Sequence, residues 1–127
     1  MSAVNHISSL LKDKNLLKGD AFIGGKWLQA KSGKVFSVNN PATGEVIAQV
    51  PNLDVADALA AVASAESAFA IWRTKTGKER AAVMRKWFDL ITEHTEDLGI
   101  IMSLEQGKPL AEAKGEIHYG SSFIEWF

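Results

Sequence analysis

The sequence changes its hydrophobic period sharply between Pro51 and Asp54, and that change restricts the chain to an α+β arrangement with the strands ahead of the main helices. Before it, short aromatic and β-branched runs are broken up by Gly, Pro and Asn. After it, apolar residues recur at steps of three and four as far as Phe127. Phe22-Ile23, then Gly24-Gly25, then Lys26-Trp27-Leu28 read as a tight hairpin, because paired glycines accept the positive φ of a two-residue turn. Val35, Phe36 and Val38 predict a third strand, residues 39–44 a turn, and Val46, Ile47 and Val50 a fourth strand closed by Pro51. Short antiparallel strands over about 21–50 are marginal in water alone and must pack on the helical remainder of the chain.

Three to four helices complete the pattern, over about 54–127. Asp54 is placed to cap the first, with Val55, Ala58, Val62, Ala65, Phe69 and Trp72 forming one apolar face and its alanines allowing close approach of a neighbour. Thr76 with Glu79 three residues later is a capping box for the second helix. Met84, Trp87, Phe88, Ile91 and Leu98 predict its buried face, flanked by Val83 and Leu90, a stripe wide enough to need cover on more than one side. The helix is expected to continue or restart after Gly99, to stop at Gly107 and to restart around Pro109 and Leu110. Ala113, Ile117, Gly120 and Ile124 fall on one line of the last helix, and Tyr119, Phe123 and Phe127 on another. Residues 1–18 carry weaker helical spacing (Val4, Ile7, Leu10, Leu11) and read as a helical arm, docked or frayed. The last helix has no stop signal: Phe123, Ile124, Trp126 and Phe127 finish it without Gly or a cationic turn, and Glu125 opposes the dipole. That pattern predicts a cut through a running helix, the alternative being a terminal helix docked into a partner subunit.

Composition excludes several functions. The 127 residues carry 14 Lys plus Arg against 15 Asp plus Glu, interspersed, so no basic footprint marks a nucleic acid and no polybasic stretch a membrane. No cysteine is present, which removes disulfides, thiolate metal sites and thiol nucleophiles from this chain. No basic-then-apolar leader opens the sequence, and no window is expected to approach the 18 apolar residues of a spanning helix, so a soluble, cytoplasmic protein is the expectation.

The motifs give no chemistry by themselves. Four Gly-Lys pairs lack the following Ser or Thr of a phosphate loop, and no two glycines stand two apart as a dinucleotide fingerprint requires. His6, His94 and His118 lack metal spacing, and Glu93, His94, Glu96 and Asp97 read as a solvated face. Glu112 and Glu116 fit surface pairing with Lys108 and Lys114, and the four tryptophans fall on apolar faces as core. The row Tyr119, Phe123, Phe127 reads as core or as a pocket lining.

Several stretches resemble the N-terminal region of the aldehyde dehydrogenase superfamily: Ile23-Gly24-Gly25-Lys26-Trp27, Asn40-Pro41-Ala42-Thr43-Gly44-Glu45, Trp72 with Glu79-Arg80-Ala81, and Glu105-Gln106-Gly107-Lys108-Pro109-Leu110 followed by Glu112-Ala113 and Gly115-Glu116-Ile117. They span Phe22 to Phe127 in the family's order, and the run from Leu104 to Ile117 together with Ser122 to Phe127 is most similar to the bacterial NADP-preferring succinate-semialdehyde dehydrogenases, with glutarate-semialdehyde enzymes as near relatives. The resemblance implies that a cysteine thiolate attacks an aldehyde, hydride passes to NADP or NAD, and a glutamate-activated water releases the acid. Those catalytic and cofactor groups lie outside this chain, so it is expected to bind no cofactor and to be inactive alone. It would be an incomplete N-terminal part, over 1–127, of the family's cofactor-binding domain, without its dinucleotide sheet. Its expected partners are the remainder of the enzyme chain and further copies in a homo-oligomer. The resemblance also implies Tyr119 and Phe123 as walls of the aldehyde tunnel, and Val38, Asn39 and Glu105 as ligands of a structural Na or K ion. The competing reading is a stand-alone helical interaction module derived from the same fold.

Overall fold

The computed structural model describes residues 3–127, and side chains from Ile7 onward. The start of the predicted arm, Met1 and Ser2, and the side chains of Val4 and His6 lie outside the described set. Helix α1 (Ala3–Leu10) and a 3₁₀ turn (Lys14–Leu16) precede strands β1 (Ala21–Ile23), β2 (Lys26–Leu28), β3 (Val35–Asn39) and β4 (Val46–Pro51). Helices α2 (Val55–Trp72), α3 (Gly77–Glu93), α4 (Thr95–Gln106) and α5 (Leu110–Trp126) complete the order, so strands precede the main helices as expected.

The strands form two separate antiparallel pairs, β1–β2 and β3–β4. Gly24 and Gly25 have φ of 60° and 77°, the two positive values that let a two-residue turn follow the twist of its strands. Phe22 then faces Trp27 with ring centroids 4.9 Å apart. In β3–β4 the register slips after Val38, whose partner is Ala48 while Asn39 pairs with Val46. Ile47 is the additional residue, and it is buried.

Both anticipated caps form. Asp54 Oδ1 accepts from the N–H of Ala56 (2.9 Å) and of Asp57 (3.2 Å), and the Asp57 carboxylate accepts in return from Asp54 N–H, which completes a capping box where the sequence pattern marks only the N-cap residue. Thr76 and Glu79 cap α3 in the same reciprocal way; the Thr76 hydroxyl and its N–H hold the Glu79 carboxyl below its ordinary range.

Three helix expectations need correction. The α3–α4 break falls at His94 rather than at Gly99, because the Thr95 hydroxyl turns back to Thr92 O (2.9 Å) and relieves the orphan carbonyls of the last α3 turn. Gly99 lies inside α4 and is buried there: a Cβ on it would sit 2.7 Å from Lys114 Cγ, so its role is close approach of α4 to α5. The third concerns α2. Its least exposed residues include Trp72 from the expected face, but Asp57, Ala61 and Ser64 lie about a quarter turn from that face, on which Val62 is 64% exposed. α2 is apolar nearly all round, with a mean hydropathy of 1.4 over 18 residues, so by length and composition alone it could cross a membrane, contrary to the expectation that no window would approach this. Its eight alanines produce that value without an unbroken run of large apolar side chains, and Asp57 and Glu66 interrupt it.

The α3 stripe is covered on one side only. Met84, Phe88 and Ile91 are partly buried, whereas Val83, Trp87 and Leu90 are exposed. Burial concentrates in two places. Ile7, Leu11 and Ile47 are buried where α1 meets β4 and α4, and Ala113, with 0% exposure, is buried where α5 meets α4 and α3. Fully burying a side chain such as Ile or Leu contributes about 1.5–3 kcal/mol, so the short arm is docked rather than frayed.

Candidate functional site

The outer end of α5 is built by its packing on α3. Ala113, Ile117, Ser121 and Ile124 form the line turned inward, with Ser121 replacing the predicted Gly120, which is exposed. Arg85 Nη1 donates to Glu125 Oε1 at 2.8 Å, giving Glu125 the cation that its place at a helix C-terminus lacked. The carboxylate of Glu125 in turn raises the Arg85 pKa. The Tyr119, Phe123, Phe127 row is left on the outside. Tyr119 is 68% exposed and meets Phe123 edge-on with centroids 4.9 Å apart, and Trp126 is 83% exposed. Phe123, Trp126 and Phe127 line an open depression of about 660 Å³ together with Ser122 and Glu125, while Tyr119 lies outside its lining. Of the two readings for this row, core is therefore not satisfied within the chain.

The second group joins two turns. Asn40 N–H donates to Glu45 O (2.9 Å), Asn40 Oδ1 accepts from Ala42 N–H (2.9 Å), and Asn39 Nδ2 donates to Gly44 O (3.0 Å), which fixes the β3–β4 turn. The α4–α5 turn is fixed by Gly107 at φ 70° and by the Ser103 hydroxyl donating to Lys108 O at 2.7 Å. The turns touch: a Cβ on Gly107 would fall 2.8 Å from Pro41 Cγ. Val38 and Asn39 on one side and Glu105 on the other thus belong to abutting segments. Glu105 is exposed, and its side-chain carboxylate has no hydrogen bond or ion pair among the described residues. Backbone carbonyls plus one carboxylate suit a hard monovalent cation, so this donor set fits an alkali ion. Among the described residues no group of three or more His, Cys, Asp or Glu converges as a metal site.

The acidic corner at the start of α4 differs from the solvated face that its charges suggest. Asp97 is buried at 2% exposure; Oδ1 accepts from Lys12 N–H at 3.0 Å and Oδ2 from Asp13 N–H at 2.8 Å. The Asp13 amide first, then the Lys12 amide and the Lys12 and His94 charges, hold its carboxyl below the ordinary 3.8 against the opposing effect of burial. Sequence separations of 85 and 84 hide these contacts from the sequence, since no local pattern links the partners. The anticipated surface pairing is present in altered form: Lys108 pairs with Glu116, and Lys114 reaches Glu96 at 2.6 Å rather than Glu112.

The described residues form no dinucleotide-binding sheet. Both sheets are two-stranded and antiparallel, so no helix N-terminus follows a parallel strand to receive a pyrophosphate.

Comparison with known proteins agrees with the geometry. Residues 27–127 match the aldehyde dehydrogenase family. The chain is 52% identical over 117 residues to a glutarate-semialdehyde dehydrogenase of Pseudomonas putida and 50% identical over 117 residues to the NADP(+) succinate-semialdehyde dehydrogenase of Escherichia coli. Each match covers 92% of this chain and 24% of the relative, so the chain spans about a quarter of the length of the curated relatives it matches. The crystal structure of an aldehyde dehydrogenase from Brucella melitensis superimposes with a TM-score of 0.90 at 50% identity, over 91% of this chain and 24% of that one.

Proposed function

Since the chain belongs to the aldehyde dehydrogenase family, we infer that it forms the N-terminal part of an NAD(P)-dependent enzyme that oxidises succinate semialdehyde to succinate. The observation that carries this reading is the 50% identity to a succinate-semialdehyde dehydrogenase across 92% of the chain. Glutarate semialdehyde is the second reading, favoured by the 52% identity to a glutarate-semialdehyde enzyme. The two aldehydes differ by one methylene, a difference worth only about 1–3 kcal/mol in a pocket. The name of the Escherichia coli relative supports NADP over NAD.

Within such an enzyme this segment is scaffold, the outer part of the cofactor-binding domain. It contains no cysteine, so the thiolate comes from elsewhere in the enzyme. Tyr119 and Phe123 present their aromatic faces on the outer side of α5 and line the aldehyde tunnel. Val38, Asn39 and Glu105 hold a Na or K ion that ties the strand unit to the α4–α5 turn. The exposed faces of α2 and α5 pack against the remainder of the enzyme, which assembles as a cytoplasmic homo-oligomer.

The test is an assay of the whole protein with succinate and glutarate semialdehydes against NADP and NAD, beside the 127-residue chain alone. Reduction is expected from the whole protein only, fastest with succinate semialdehyde and NADP. Turnover by the short chain, or no reduction by the whole protein with either aldehyde, overturns the reading. A stable stoichiometric partner unrelated to a dehydrogenase would instead favour a stand-alone interaction module.

A further inference from the structure

We propose that the N-terminal arm, from α1 through the 3₁₀ turn, is a separable strap that the Asp97 carboxylate buckles onto α4, and that this strap couples the β3–β4 hairpin to the helices. An eight-residue helix is too short to persist alone in water, so the order of α1 derives from what it touches. Its apolar half is Ile7 and Leu11, both buried, at the meeting of α1 with β4 and α4. Its polar half is Asp97, whose two oxygens each take one N–H from the consecutive residues Lys12 and Asp13, just past the end of α1. Beyond the 3₁₀ turn the chain crosses β4 so closely that a Cβ on Gly19 would stand 2.9 Å from Gln49 O. The arm therefore meets α4 through its apolar residues and again through Asp97, and meets β4 through its apolar residues, with the chain just beyond it crossing β4 at Gly19, while the hairpin's own turn meets the helices at Pro41 and Gly107.

The charged groups around the buckle are Lys12 and Asp13 from the arm and Glu93, His94 and Glu96 from the α3–α4 corner; β4 contributes none. Of the carboxylates at the α3–α4 corner, Asp97 is the one that accepts from the arm's backbone; Glu93 and Glu96 make no hydrogen bond to Lys12 or Asp13 among the described residues. Removing it leaves two amide N–H groups facing a protein surface without an acceptor, which favours lifting the arm over keeping it docked.

Hydrogen exchange by mass spectrometry on the whole protein tests this with D97A, D97N and the control E93Q. D97A is expected to speed exchange roughly tenfold or more in residues 7–17 and across β3–β4, with α3 and α5 unchanged. D97N, which keeps one acceptor oxygen, should give a smaller rise in the same segments, and E93Q none. Unchanged arm exchange in D97A overturns the buckle. A parallel rise throughout α3 and α5 shows Asp97 to be an ordinary core residue and overturns the separable strap. Lifting of the arm without faster exchange in β3–β4 overturns the coupling.

Discussion

The α4–α5 seam and α2 are both helical and both rich in small residues, yet only one of them is a packed interface. At the seam, Gly99 and Ala113 let two backbones approach until a Cβ on Gly99 would collide with Lys114, and Lys114 and Glu96 close the edge with an ion pair. In α2, eight alanines sit on a helix whose large side chains Val55, Leu59, Val62, Phe69 and Ile71 are more than half exposed, Trp72 alone being partly buried. Small residues allow close approach but do not supply the neighbour. What separates the two helices is that α5 covers α4 within this chain, whereas the exposed apolar side chains of α2 have no covering surface among the described residues.

The same substitution placed in each region tests that difference most sharply. Ala113→Leu adds three carbons at a position with no exposure, and overpacking of that kind costs about 3 kcal/mol. Ala58→Leu, on the exposed face of α2, is expected to stay within about 0.5 kcal/mol in this chain. Urea unfolding of the two variants measures both. Equal costs would show that the seam is no tighter than the free helix.

The next effect in size concerns the acid limb. Asp97 has a depressed carboxyl pKa in the folded state, so its contribution is fully present above the unfolded value and is lost as pH falls through the folded value, below 3.8. Its two charge-assisted bonds are worth about 2 kcal/mol, and they hold the arm rather than the seam. Acidification should therefore expose the Lys12 and Asp13 amides to exchange before α4–α5 opens. In D97N that early phase should be absent, because the arm is already loosened at neutral pH. Simultaneous loss of arm and seam protection would merge the two regions into one unit.

A smaller effect is expected at Gly107. An alanine there must adopt φ near 70° and place its Cβ against Pro41, at a cost of about 1–2 kcal/mol. Exchange should rise in the 39–44 turn as well as in the α4 terminus, since the two turns support each other. Protection lost only in α4 would show that the Pro41 contact carries no energy.

What can be read from the sequence divides along the same line. The hairpin at Gly24-Gly25, the caps at Asp54 and Thr76 and the stop at Gly107 are local chemistry, each decided within four residues, and all are present. The roles of Asp97 and Gly99 are decided by Lys12, Asp13 and Lys114, partners at least fifteen positions away in the chain, and the phase of α2 is not marked by any local signal. Gly99 resembles a helix interruption because a glycine's local meaning and its packing meaning cannot be separated without the neighbouring helix. The candidate site behaves likewise. Tyr119 and Phe123 are legible as one row on a helix, but the turn-to-turn contact that brings the Asn39 and Glu105 segments together rests on Pro41 and Gly107, which the periodicity does not connect.

The smallest expected effect in this chain is the most informative about α2. Val62→Asp replaces an exposed apolar side chain at the middle of the helix, where a carboxylate is far from either terminus and removes no buried contact. In the 127-residue chain its cost should stay within about 0.5 kcal/mol, set mainly by helix propensity. The same change should lower binding of a hydrophobic dye and reduce self-association, because it interrupts a continuous apolar surface. In the whole protein, a surface that packs against this face would have to accept an unpaired carboxylate, and the loss should reach several kcal/mol. A small cost in both settings would show that α2 faces solvent throughout, and its apolar circumference would then need an explanation other than burial by the rest of a dehydrogenase.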